Sequence, residues 1–157
     1  MTPAVRVAGM AKGSGMIHPD MATMIGVITT DCAVDATTLH QLLRSAVSKT
    51  FNRVSVDGDT SVCDMVVILA NGAAGNRPVR PDTPEAARLL AAIEKISTEL
   101  SRLIARDGEG ATKLVEIRVD GAMDSEDAYR AVLAVARSPL VKTALFGEDA
   151  NWGRILT

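Results

Sequence analysis

Hydrophobic positions along the chain fall into three patterns: short runs, helical spacing and alternation. Each predicts a different element. Met24 to Thr30 (MIGVITT) is a short apolar run rich in Ile, Val and Thr. It predicts a buried strand, with Gly26 as a point of close approach. Asp35 then stands as a helix cap. Behind it Leu39, Leu42, Leu43, Ala46 and Val47 recur at helical spacing, predicting an amphipathic helix over 36–51. The polar, acidic stretch NRVSVDGDTSVCD follows, and then Met65 to Asn71 (MVVILAN), a continuous apolar run that predicts a strand buried on both faces. A Gly- and Pro-rich loop leads to the strongest helical signal. Thr83 caps it, Pro84 occupies the first turn, and Leu89, Leu90, Ile93, Ile96, Leu100, Leu103 and Ile104 form the stripe, with Gly108 as the stop.

Alternation returns at Thr112 to Gly121, where Val115, Ile117 and Val119 share one face opposite Glu116 and Arg118. This predicts a third strand. SEDAYRAVLAVAR predicts a third helix, LVKTALFG an extended segment, and GEDANWGRILT a short terminal helix entered through Asp149. Mixed strands and helices place the chain in the α/β (α+β) class, with long helices packed against a sheet. There is no internal repeat. The terminal helix is so short that the chain reads as a single partial domain, 1–157, cut inside an element.

Composition narrows the function classes. The 157 residues are 47% hydrophobic but only 3% aromatic, and the net charge is -2. Bases have few rings to stack on and a phosphate backbone meets no basic stripe, so no nucleic-acid partner is expected. No apolar run reaches the roughly 20 residues of a membrane helix, and there is no signal-peptide pattern. Cys32 and Cys63 form no CxxC pair, so no metal site is expected; two free thiols suit a reducing, cytoplasmic or organelle-matrix setting.

Several motifs suggest chemistry and then fail on spacing. GMAKGSGM has the look of a phosphate loop, yet it lacks the GK[ST] ending and no strand is read before it. Asp57 to Asp64 (DGDTSVCD) begins like a calcium loop, but the twelfth position is Ile68, where a bidentate Glu is required. An acidic turn entering a strand is the better reading. Nothing ties His18 or His40 to a cysteine. Thr23 differs. It lies where a glycine-rich loop meets a strand, just after the small residue Ala22. A threonine hydroxyl becomes an effective nucleophile when its own α-amino group serves as base, which requires cleavage of the Ala22–Thr23 bond. Residue type and spacing leave this open beside an ordinary strand start.

Taken together, GMAKGSGMIHPDMATM, FNRVSVDGDTSVCD, ARDGEGATKLVEIRV and SPLVKTALFGEDANWGRI resemble, in order, signature stretches of the bifunctional ornithine acetyltransferase/N-acetylglutamate synthase family. The resemblance spans almost the whole chain. It implies a layered sandwich of mixed sheet and flanking helices, like that of N-terminal-nucleophile enzymes. It implies self-cleavage at Ala22–Thr23, with 1–22 ending an α chain and 23–157 beginning a β chain. It further implies ping-pong acetyl transfer from N2-acetylornithine to glutamate through acetyl-Thr23, without a cofactor, with acetyl-CoA as a further donor in some members. The partners implied are a heterotetramer of two α and two β chains.

By the same resemblance Thr23 is the nucleophile, and Lys12 and Glu109 contact substrate together with it. Their charges suit an α-carboxylate and a terminal ammonium, in either pairing. The sequence departs from the family pattern at Cys63, usually Asn, and at Val62, usually Thr. The upstream Thr-Gly pair that forms the family's oxyanion hole is not among these residues. An oxyanion donor is worth about 100- to 1000-fold in rate, so the isolated chain is expected to be inactive. Two other readings stand beside this one: a self-processing amidase or aminopeptidase with the same nucleophile, and an inactive truncated relative.

Overall fold

The computed structural model describes residues 3–18, 24–59 and 63–156. It divides into two compact units, Met1–Glu109 and Gly110–Thr157. The first is built on a three-stranded sheet in the order β1-β2-β3. The strands are β1 (Val7–Lys12), β2 (Ile25–Thr30) and β3 (Met65–Ala70). β2 lies in the middle, antiparallel to β1 and parallel to β3. A parallel pair needs a crossover, and α1 (Ala36–Lys49) lies within it. The mixed sheet and its helices bear out the α/β class.

Capping chemistry sets the helix starts. The Asp35 carboxylate accepts from the Thr38 amide at 2.9 Å and the Thr38 hydroxyl at 2.6 Å. Thr83 accepts from the Ala86 amide at 3.2 Å and opens α2 (Pro84–Arg106), with Pro84 in its first turn. Leu39, Leu43 and Ala46 of α1 and Leu89 and Ile93 of α2 are buried, and most join Ile28 of β2 in the main core. α2 lies close on β1. A Cβ at Gly9 would stand 3.0 Å from Leu100 Cδ1 and 3.2 Å from the Val27 carbonyl oxygen. Of the expected α2 stripe, Leu103 is exposed, while Ser97 is fully buried.

The sheet departs from the sequence reading in two ways. β1 was missed: VAGMAK is glycine- and alanine-rich, with little intrinsic strand preference, and its pairing with β2 is what makes it a strand. The absent GK[ST] ending, together with spacing that does not fit GxGxxG, still argues against a phosphate loop. β3 is not buried on both faces, because Met65 and Leu69 are exposed.

In the second unit α3 (Ser125–Arg137) is capped by Asp124, which accepts from the Asp127 amide at 2.8 Å, and buries no residue. α4 (Pro139–Phe146) replaces the expected extended segment. Ser138 caps it through the Val141 amide, and Pro139 is preset for a first turn. Ser138 followed by Pro139 is a local helix-start signal that outweighs the extended reading. The strand expected at Thr112 to Gly121 is absent: 112–120 has no regular structure and no ladder among the described residues. Alternation suits a strand, but a strand exists only when a neighbour satisfies its backbone. α5 (Gly153–Leu156) is a single turn that begins after Trp152 and not at Asp149.

Candidate active site

The connection between β1 and β2 carries the candidate chemistry. Thr23 and Ala22, the proposed nucleophile and cleavage position, lie outside the described residues, as do the residues back to Pro19. The described chain on either side is held by one element, the acidic loop leading into β3. On the upstream side the Asp57 carboxylate accepts from two consecutive amides, Met16 at 2.6 Å and Ile17 at 3.1 Å. The Val56 amide donates to the Ile17 carbonyl at 2.7 Å. Buried His18 pairs its Nδ1 with Ser55 Oγ at 3.1 Å. Met16 has a φ of 50, a left-handed conformation unusual for a side chain of its size, and the Asp57 bonds help to hold it there. On the downstream side Asp64 Oδ1 accepts from the Met24 amide at 2.6 Å, and the Met65 amide donates to the Met24 carbonyl at 3.0 Å.

The turn after α2 meets the same loop. The Glu109 amide donates to the Ser14 carbonyl at 2.7 Å, and Ser14 Oγ donates to the Asp107 carbonyl at 3.1 Å. The Glu109 carboxylate occupies the space a Cβ would need at Gly15. A larger residue there would have to displace that carboxylate. Lys12 ends β1 just before this loop, and residues 11–15 with the C-terminal turn of α2 line an open cavity of about 800 Å³. A smaller cavity of about 340 Å³ is lined by His18, Met24, His40, Arg44 and Asp64, among others. Lys12 and Glu109, 97 positions apart in the sequence (109 minus 12), thus meet one glycine-rich loop.

Electrostatics separates the acids. Burial pushes the Asp64 carboxyl above its ordinary range, against the pull of the Met24 amide and the Lys12 ammonium. Burial likewise raises the Cys32 thiol, against a hydrogen bond from Asn76. That disfavours its thiolate, the form a nucleophile needs. Cys63 is exposed, and neither cysteine is in a disulfide. Asp57 spends its oxygens on backbone amides, as an acidic turn does. The sequence carried a signal for this loop, acids at both ends of DGDTSVCD, but not its target about 40 residues upstream (57 minus 16 is 41).

The geometry defines a class first: a mixed α/β unit in which three distant stretches converge at one end of a β1–β2 pair, with charged side chains around a glycine-rich loop. The whole of it, residues 1–157, matches the model of the ArgJ family, and the chain belongs to that family. It is 55% identical over 152 residues to the arginine biosynthesis bifunctional protein ArgJ of Symbiobacterium thermophilum, covering 97% of this chain and 38% of that protein. It is 54% identical to the mitochondrial ArgJ of Neurospora crassa, covering 96% of this chain and 32% of that protein. The crystal structure of ArgJ from Bacillus halodurans superposes with a TM-score of 0.78 at 44% identity, over 84% of this chain and 61% of that one. The chain spans about a third of the length of these curated relatives. No described helix is long and apolar enough to cross a membrane.

Proposed function

We propose that the chain carries the nucleophile region of an acetyltransferase of arginine biosynthesis. In this reading the Thr23 hydroxyl first attacks the Ala22 carbonyl. The peptide C–N bond breaks, the nitrogen takes the proton, and water hydrolyses the resulting ester. The freed α-amino group, which titrates near about 7.7–8.0 when unperturbed, then serves as base. Thr23 Oγ attacks the acetyl carbonyl of N2-acetylornithine, the amide C–N bond breaks, and ornithine leaves with the proton on its amine. The glutamate amine takes the acetyl group from the ester, and Oγ regains its proton. Acetyl-CoA is a second donor, breaking a thioester in place of the amide. Lys12 and Glu109 hold the substrate's carboxylate and ammonium ends. The processed chains assemble as two α and two β chains.

The observation that carries this reading is the convergence of Lys12 and Glu109 on the loop that leads to Thr23, in a chain of the ArgJ family. The test is Thr23→Ala in the full-length protein, with intact-mass analysis and an acetyl-transfer assay. Processing and transfer should both disappear. A variant still cut before residue 23, or still transferring acetyl groups, overturns the reading. Acceleration of ornithine release by glutamate separates a transferase from an amidase.

A further inference from the structure

The cavity of about 800 Å³ beside the glycine-rich loop carries side chains that the activity proposed above leaves unused, and its size is that of a small-molecule site. Its helical wall includes Leu100, Leu103, Arg106 and Asp107. Positions 100, 103 and 106 follow one another at i, i+3 spacing and so share one side of α2. Leu103, the exposed member of the α2 stripe, is 58% accessible. Arg106 ends the helix, and a cation there is ordinarily explained by the last carbonyls. Here the helix end is capped by other groups. The Asp107 amide donates to the Leu103 carbonyl at 3.0 Å, and Ser14 Oγ donates to the Asp107 carbonyl at 3.1 Å. Among the described residues the Arg106 guanidinium makes no hydrogen bond and no ion pair. Lys12 lines the same cavity from the end of β1. Asp107 lines it too, and the Glu109 carboxylate packs on Gly15 of its loop wall. Two cations, two acids and exposed leucine suit a ligand with charged ends of opposite sign and an aliphatic middle.

We propose that Arg106 is a substrate-binding residue that, together with Lys12, forms the subsite for the substrate's α-carboxylate. The proposal rests on the reading of N2-acetylornithine as acetyl donor. That molecule has an α-carboxylate and a terminal ammonium joined by a methylene chain. A guanidinium presents a planar fork of N–H donors that a carboxylate accepts in parallel, and Lys12 adds a point charge. Leu103 then lies beside the methylene chain, and the acids Asp107 and Glu109 are left for the ammonium. The carboxylate carries the same charge before and during acetyl transfer. Binding it therefore acts on affinity more than on turnover.

The test is Arg106→Gln in the full-length protein, with Arg106→Lys beside it. Acetyl transfer is measured with N2-acetylornithine and with its carboxamide, in which the α-carboxylate is replaced by a neutral amide. Expected for Arg106→Gln are a KM for N2-acetylornithine raised about tenfold or more, a kcat within about twofold and an unchanged Tm. The wild type should prefer the acid to the carboxamide in kcat/KM, and Arg106→Gln should lose about tenfold of that preference. Arg106→Lys, which keeps the charge but not the fork, should recover part of the affinity. An unchanged KM, the same preference for the acid in both proteins, a Tm several degrees lower or failure to fold would each overturn the proposal. The two readings fail separately. A wild type that takes no acetyl group from N2-acetylornithine sinks the acetyltransferase reading and the subsite with it. A wild type that does so, beside an Arg106→Gln of equal KM, sinks only the role of Arg106.

Discussion

The two faces of the sheet share one backbone and one set of ladders but live in different surroundings. On the face covered by α1 and α2, Gly9 pairs with Ile28 and Ile28 with Ile68, and Ile28 is 0% exposed. On the other face Met10 is 72% and Leu69 61% exposed, with Ile25 and Met65 also open. The side chains there are nearly as apolar as those in the core. A pattern of hydrophobic positions therefore reports which faces avoid water, and not what covers them.

The sharpest way to break this comparison is a pair of truncations. Ile28→Ala should destabilise by about 2–5 kcal/mol, because it leaves a cavity in a closed core. Leu69→Ala should cost less than about 0.5 kcal/mol, since it removes a side chain already in water. Urea midpoints would measure both, and equal losses would mean that the open face is covered in solution. A smaller effect tests how tightly α2 seals the covered face. Gly9→Ala should cost about 1–3 kcal/mol, because Leu100 can shift but the Val27 carbonyl cannot. Gly26→Ala should cost less, as its nearest neighbours are Val66 methyls at 3.4 Å. Smaller again, Thr83→Ala should cost about 1 kcal/mol through the lost α2 cap, visible as a lower thermal midpoint.

The pH dependence of stability gives the finest contrast. Hydrogen bonds from the Thr38 hydroxyl and amide hold the Asp35 carboxyl below its ordinary value of 3.8. Its contribution is present above 3.8 and is lost as pH falls through the lower folded value. Asp64, raised by burial above the same 3.8, has the opposite sign: its contribution is present below that value and is lost as pH rises through the higher folded one. Melting curves should show Asp64→Asn gaining on the wild type as pH climbs past about 4, and Asp35→Ala losing ground to it below that, as pH climbs from the lower folded value towards 3.8. A constant offset for either variant would contradict its assignment.

Much of the fold was legible because its signals are local. The caps at Asp35 and Thr83, the stripes of α1 and α2 and the apolar runs of β2 and β3 are all read within a few residues. β1 was not, because Val7 to Lys12 becomes a strand only through a partner 13 or more positions away (25 minus 12). The segment at 112–121 failed in the opposite way, with the right alternation and no strand ladder among the described residues. Lys12, Glu109 and Thr23 were reached through resemblance to a family, and the structure adds the common loop that Lys12 and Glu109 meet. Asp57 and Asp64 were read only as an acidic turn, because a carboxylate's choice of a distant amide leaves no spacing to count.

The antiparallel ladder of β1 and β2 has a consequence for a protein cut at the proposed position. The bond between Ala22 and Thr23 lies in the connection between those strands. If the proposed cleavage opens it, the six residues of β1 belong to one polypeptide and those of β2 to another. An intramolecular pairing then becomes a subunit contact, with a dissociation constant in place of a loop-closure entropy. The sheet is from then on jointly owned: neither chain holds all three of its strands, and dilution, which leaves the uncut chain unchanged, becomes a force that can take it apart.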